Sequence, residues 1–200
     1  MRYFYIIILQ FLIISCSVKK AGYAVINDFL DVELKDYKID SIHVQIEPYD
    51  VKEAIQLYED GYNGRDDQSP SYAKVWTTPE IKDWPISMDE INKIRKNLKG
   101  QDIEWSEADF KNKSFVFYHA SVLKDMNFRA SHRVKGTKEY VLRLSRPVFN
   151  KMKTYALFKY YYSELLMGSS PESGHRGAVI MKKENGKWIA LASIREAVYE

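Results

Sequence analysis

The sequence predicts an α+β domain, in which a helical N-terminal half packs on a C-terminal antiparallel meander that ends in a β-hairpin. Three observations support this fold class. Helix-capping patterns precede residue 100, two-residue alternation dominates after residue 115, and Asn185-Gly186 separates the last two strand-like segments. The length of 200 residues fits one globular domain, or at most two small ones. The composition, with 46% apolar and 28% charged residues, argues against a disordered or polytopic membrane protein.

Two elements are predicted before residue 50. Residues 28–34 have weakly helical spacing, and residues 41–47 alternate with period two. The alternation predicts a strand with one apolar face, formed by Ile42, Val44 and Ile46. His43 lies on the opposite face, where we expect it to be solvated.

Capping patterns predict the next helices. Asp50 and Glu53 form a capping box for a helix that ends near Glu59, before a loop at residues 61–73 that is rich in glycine and aspartate. Thr78, which precedes a proline, suits the start of a short helix. A second capping box, Ser87 with Glu90, begins a helix that ends before Gly100.

The second half has the signals of a sheet. Residues 115–122, 139–148 and 155–163 are predicted strands, with a turn at residues 150–153. Residues 177–183 and 187–195 flank Asn185-Gly186, the dipeptide that a type I′ hairpin turn favours because both of its central residues need positive φ.

The two-residue turn sets the register of the hairpin. It places Glu184 opposite Lys187 and Lys183 opposite Trp188. We expect one apolar face of the meander to pack on the helices, an arrangement compatible with a cystatin-like or nuclear-transport-factor-2-like (NTF2-like) fold.

The N-terminus carries an export signal. Arg2 precedes an apolar run from Tyr3 to Ile14 that only Gln10 interrupts. As a helix, this run would be roughly 18 Å long, whereas the hydrocarbon core of a bilayer is roughly 30 Å thick. The run is therefore expected to direct the chain to a membrane without spanning it.

Residues 13–16, Ile-Ile-Ser-Cys, resemble the lipobox of bacterial lipoproteins, in which a small residue precedes an invariant cysteine. The resemblance covers residues 1–16 and implies cleavage before Cys16, a thioether to diacylglycerol on its sulfur and acylation of the new amino group. Two acyl chains, such as palmitate, hold a protein firmly on a bilayer. An ordinary secretory signal with an incidental cysteine is the alternative.

The implied organisation has three parts: a signal peptide at residues 1–15, a tether at residues 16–25 and a single α+β domain at residues 26–200. A vaguer resemblance, to small uncharacterised secreted proteins of Bacteroidota, covers about residues 105–195. It depends on the segments 144–150 and 185–188 and implies nothing about activity.

Histidines are the first candidates for acid–base or metal chemistry. His43 is expected to be solvated, and His119 shares a predicted strand face with Phe115 and Phe117, which favours a core or edge position. His132 lies in a basic segment. Because no His-Glu-x-x-His motif is present, a metal site would have to be assembled from distant segments, and no catalytic or metal-ligating residue is assigned.

Three surfaces are candidates for ligand binding. His175 and Arg176 lie in a predicted loop at residues 168–177 and suit an anionic group, and Arg133 lies in a predicted basic hairpin tip. Tyr160 and Tyr162, on an aromatic strand, would stack on sugars or contact a partner if exposed, although core packing is the simpler interpretation.

The net charge of +3 is too small to indicate a nucleic-acid partner, and no cofactor motif is present. We therefore expect a lipid-anchored protein of the cell envelope that acts as a non-catalytic binding or accessory module for a glycan or an envelope protein. The alternatives are an envelope hydrolase with a site built around His175 or His119, and a structural or assembly lipoprotein.

Overall fold

The computed structural model describes residues 21–35, 41–64, 75–98, 101–111, 114–123, 139–164 and 175–196. Within these stretches lie four helical segments and one mixed sheet of eight strands, most of them in the C-terminal half. The helical segments are α1 (residues 21–33), α2 (Val51–Gly64), α3 (Met88–Lys96) and α4 (residues 120–123). None of the described helices has the length and apolar character that a membrane span requires.

The strands are β1 (Ser41–Gln45), β2 (Val75–Thr78), β3 (Phe115–Tyr118), β4 (Glu139–Leu144), β5 (Val148–Phe149), β6 (Tyr155–Glu164), β7 (His175–Glu184) and β8 (Lys187–Glu196). Their order in the sheet is β2-β8-β7-β6-β4-β1-β3, and β5 also pairs with β6. The C-terminal strands form the predicted antiparallel arrangement. The sheet is mixed because β1 inserts parallel to both β3 and β4.

Helices cover both faces of the sheet. Phe29 of α1 packs on one face, with its ring centroid 5.1 Å from that of Phe158. On the other face, Ile55 and Tyr58 of α2 belong to a buried cluster that includes Leu157 of β6. The expectation of a single apolar face was wrong, because alternate residues of β6 are buried on each side of the sheet.

The burial of β1 overturns the expectation for His43. This side chain is only 5% exposed, and its ring centroid lies 5.4 Å from that of Tyr118. Alternation predicted solvent on this face, but β1 has neighbours on both edges and is covered on both faces.

α1 begins earlier than the weakly helical segment suggested. Residues 21–25, predicted as the end of the tether, already belong to this helix, and Tyr23 and Val25 are buried. The folded domain therefore starts before residue 26.

α2 continues past its predicted end at Glu59. Gly61 does not terminate the helix. A Cβ at this position would overlap the Trp84 ring, so the glycine makes room for Trp84. Residues 61–64, predicted as loop, are helical. The rest of that predicted loop, residues 65–73, lies outside the described residues.

Thr78 ends a strand rather than starting a helix. It pairs with Ser193 of β8, and the Oγ1 of the preceding Thr77 accepts a hydrogen bond from the Ile81 amide at 3.1 Å. The helix predicted from Ser87 is confirmed, with the Ser87 Oγ accepting a hydrogen bond from the Glu90 amide at 3.3 Å. The Glu90 carboxylate accepts a hydrogen bond from the Lys151 backbone amide instead of from the Ser87 amide, as a capping box requires.

The segment predicted as one strand over residues 139–148 forms two strands. Ser145 keeps the chain attached to β6, because its amide donates to the Lys159 carbonyl at 2.9 Å and its hydroxyl accepts from the Lys159 amide at 2.7 Å. Pro147 has no N–H group to continue the ladder. This interruption frees Arg146 to turn its side chain towards another segment.

The C-terminal hairpin is confirmed. Asn185 and Gly186 have φ values of 49° and 84°, and the predicted pairs Lys183–Trp188 and Glu184–Lys187 are observed. Between β5 and β6, Asn150 organises the predicted turn, because its Oδ1 accepts hydrogen bonds from the Thr154 and Tyr155 amides at 2.8 and 2.9 Å.

Candidate functional site

Two parallel strands end at the same edge of the sheet, and a polar side chain follows each of them. Glu47 lies two residues after β1, and His119 directly follows β3. Residues at the carboxyl ends of neighbouring parallel strands are brought together by the sheet itself, which is why ligand sites form there in α/β proteins.

Glu47 is held in place at this edge by two hydrogen bonds. Its Oε1 lies 2.8 Å from the His119 Nδ1, and its Oε2 accepts a hydrogen bond from the Ala120 amide at 2.9 Å. The amides of Val122 and Leu123 donate to the His119 carbonyl, so the chain turns into α4 here and β3 ends at Tyr118, short of the predicted end at residue 122.

Glu104 reaches the same edge on a segment without regular structure. The amide of the adjacent Trp105 donates to the Ile46 carbonyl at 2.8 Å, and the Trp105 Nε1 donates to the Leu144 carbonyl at 3.1 Å. These bonds attach the segment to the ends of β1 and β4.

Arg146 holds the same segment in place through its guanidinium group. Its guanidinium donates to the carbonyls of Ile103 and Glu104, and its Cζ lies 3.8 Å from the centroid of the Trp105 ring. The residue is only 8% exposed. A planar guanidinium meets two carbonyls and an aromatic face at once, which a lysine ammonium does not do.

The outcome is a cluster of three side chains, Glu47, Glu104 and His119, from segments far apart in the sequence. One oxygen of each carboxylate and a ring nitrogen of the imidazole all lie within 4.8 Å of one another. The side chains of His119 and Glu47 are 59% and 38% exposed, so the cluster is open to solvent.

The Glu47 carboxyl is tuned by this arrangement. Burial would raise its pKa, but the hydrogen bonds from His119 and from backbone amides outweigh that effect, and the pKa lies below its ordinary value. Glu47 is therefore ionised near neutral pH. Among the described residues, no lysine or arginine forms an ion pair with the Glu47 or Glu104 carboxylate.

No protein-family model, curated protein or solved structure matches this chain. An imidazole and two carboxylates are able to ligate a metal ion, bind an organic cation or act as a general base. An open groove of about 460 Å³ is lined by residues that include Pro48 and Asp102, but none of the three cluster residues lines it.

The residues predicted to bind a ligand do not join this cluster. His175 and Arg176 are the first residues of β7 rather than part of a loop, and they pair with Tyr162 and Tyr161. His175 is exposed and Arg176 is half-buried. Residues 168–174, which complete the predicted binding loop, lie outside the described residues.

Tyr160 and Tyr162 lie in the core, at 2% and 3% exposure. The ring of Tyr162 stacks on that of Tyr140 at 4.7 Å between centroids, and Tyr160 lies against Phe29. Neither ring presents a face for stacking on a sugar. Arg133, His132 and Cys16 lie outside the described residues.

Of the candidate histidines, His119 lies in the cluster. It is exposed and follows β3, the last strand in the sheet order, which agrees with the predicted edge position and not with the core position. Glu47, Glu104 and Arg146 were not predicted as site residues. Their sequence spacing matches no motif, and the only signal was the position of Glu47 at the end of a predicted strand, before Pro48.

Proposed function

We propose that this protein is a lipid-anchored component of the bacterial cell envelope, and that its domain is a non-catalytic binding module with Glu47, Glu104 and His119 as its binding site. The observation that carries the binding role is the convergence of these three side chains at a solvent-open edge. Backbone hydrogen bonds and Arg146 hold that edge in place before any ligand arrives, which lowers the entropic cost of binding.

The anchor is supported by the sequence of residues 1–16. The apolar run is too short to span a bilayer, its last four residues fit a lipobox, and Cys16 is the sole cysteine among 200 residues. The partners that follow from this proposal are the membrane, through the lipid, and a glycan or protein of the envelope.

We also propose a finer fold assignment, to a cystatin-like or NTF2-like arrangement. The meander of β6, β7 and β8 with its terminal hairpin supports a cystatin-like or NTF2-like arrangement. The parallel pairing of β1 and the helices on both faces of the sheet argue for a more elaborate three-layer variant.

One observation favours the alternative of an envelope hydrolase. The 2.8 Å contact between His119 and Glu47 is the geometry of an oriented general base. The contact is exposed rather than enclosed in a cleft, and this supports binding over catalysis. A structural role has less support, since the tyrosine-rich strand β6 is interior to the sheet and offers no free edge.

The anchor is tested by mass spectrometry of the natural protein and by detergent partitioning. We expect a diacylglyceryl thioether on Cys16 and transfer to the detergent phase, both lost in Cys16→Ser. An unmodified sulfur, or a Cys16→Ser protein that still partitions into detergent, would refute the anchor.

Binding is tested by recovering the cross-linked native lipoprotein from membranes and identifying what accompanies it. We expect a glycan or envelope protein that is lost in the double variant Glu104→Gln/His119→Gln and kept in His175→Gln, the matched control at an exposed histidine outside the cluster. Recovery of the protein alone, or of the same partner from the double variant, would contradict the proposed site.

A further inference from the structure

We propose that Glu47, Glu104 and His119 bind a divalent transition-metal ion such as Zn²⁺ or Mn²⁺. This inference deepens the proposed function and rests on its binding site, for which it names the ligand. It starts from the proximity of three ligand atoms, of the types that such ions accept, within 4.8 Å of one another.

The distances fit a first-row ion after a small movement. Ligand bonds of about 2.0–2.2 Å place two ligands of one ion about 3–4.4 Å apart. The ligand atoms now lie up to 4.8 Å apart, so side-chain shifts of less than about 1 Å bring them to that spacing without movement of the backbone. In the present arrangement a hydrogen bond joins the His119 Nδ1 to the Glu47 Oε1. A bound cation takes the place of the Nδ1 proton, and the neutral imidazole then carries its single proton on Nε2.

The charges favour a cation. Two carboxylates and one imidazole lie together in the cluster, and no lysine or arginine of the described residues forms an ion pair with either carboxylate. With a neutral imidazole the cluster carries two negative charges, which a divalent ion balances.

The donor types select among cations. Ca²⁺ and Mg²⁺ take oxygen ligands, whereas an imidazole nitrogen favours ions such as Zn²⁺ and Fe²⁺; Mn²⁺ accepts the two carboxylates readily and is selected less by the imidazole. Three protein ligands leave at least one coordination position open. An oxygen atom of an envelope ligand would occupy that position, which is accessible because the cluster is open to solvent.

The experiment is calorimetric titration of metal-free full-length protein with ZnCl₂, in a Cys16→Ser background so that a free thiol does not bind the metal. We expect one equivalent of Zn²⁺, with affinity about tenfold or more weaker in Glu104→Gln and in His119→Gln. His175→Gln is the matched control and should bind as the background does. Titration with CoCl₂ should produce visible absorption bands that the two site variants lose, and thermal unfolding should show that both variants are folded.

Absence of Zn²⁺ binding, or binding that the two site variants leave unchanged, overturns the metal site. Binding of Ca²⁺ or Mg²⁺ as tight as that of Zn²⁺, with no effect of His119→Gln, overturns the choice of ion. If metal binding fails but an envelope partner still depends on Glu104 and His119, the proposed function stands without the metal. If both fail, the binding site itself is wrong.

Discussion

Tyr58 and the backbone of Ile86 form a reciprocal pair in the core. The Tyr58 hydroxyl donates to the Ile86 carbonyl at 2.8 Å and accepts from the Ile86 amide at 2.9 Å. Both residues are fully buried. One side chain of α2 therefore satisfies both polar groups of a residue in the connection that leads to α3, and it secures that connection where no sheet or helix ladder does.

Tyr58→Phe is expected to destabilise the protein by about 2–4 kcal/mol. It leaves a buried N–H and a buried C=O unpaired, at about 1–2 kcal/mol each, while the ring packing is kept. Urea unfolding measures the loss. Tyr155→Phe is the control, because Tyr155 is half-buried and its hydroxyl has no hydrogen bond among the described residues. An equal effect of the two variants would contradict the role of the Tyr58–Ile86 pair.

Stability should decline in alkali. Burial raises the pKa of Tyr58 and of Tyr160 above the ordinary value of about 10. The unfolded chain therefore loses these protons first as the pH rises above about 10, and the free energy of unfolding falls. We expect constant urea midpoints between pH 7 and 9, falling midpoints above pH 10, and a shallower fall in Tyr58→Phe. A midpoint independent of pH up to 11 would be inconsistent with the buried hydroxyls.

Alanine substitutions at two glycines of α2 should change the stability of the protein in opposite directions. Gly64→Ala is expected to stabilise by up to about 1 kcal/mol, since no atom lies within 4 Å of the added methyl group and alanine is the better helix former. Gly61→Ala should destabilise by about 1–3 kcal/mol, because its methyl group would overlap the Trp84 ring. Thermal unfolding of the two variants decides; stabilisation by Gly61→Ala would show that Trp84 moves aside at no cost.

Arg146→Lys should damage both the fold and the cluster. The lysine keeps the charge but loses the forked contact with the Ile103 and Glu104 carbonyls and the stacking on Trp105, so we expect about 2–4 kcal/mol lower stability. Zn²⁺ affinity should fall because the Glu104 segment loosens. Arg95→Lys, at a partly exposed ion pair with Glu59, is the control and should keep Zn²⁺ affinity. Unchanged stability in Arg146→Lys would show that the segment does not depend on this clamp.

Local sequence signals predicted the elements that local physics determines. The Asn185-Gly186 turn and the Ser87 cap each depend on neighbouring residues, and both were predicted correctly. The parallel insertion of β1 depends on pairing with residues far along the chain, and no periodicity within residues 41–47 reports it. For this reason His43 was misplaced and the meeting of Glu47 with His119 was not foreseen.

The insertion of β1 between β3 and β4 has a consequence for the order of assembly. Ile42 pairs with Phe115 and Ser41 pairs with Glu139, so the flanking partners of this early strand are synthesised 73 and 98 residues later. A nascent chain that stops at residue 100 contains β1 but neither of its neighbours in the sheet. The side of the sheet formed by β3, β1 and β4 therefore closes late, after residue 139 has been made.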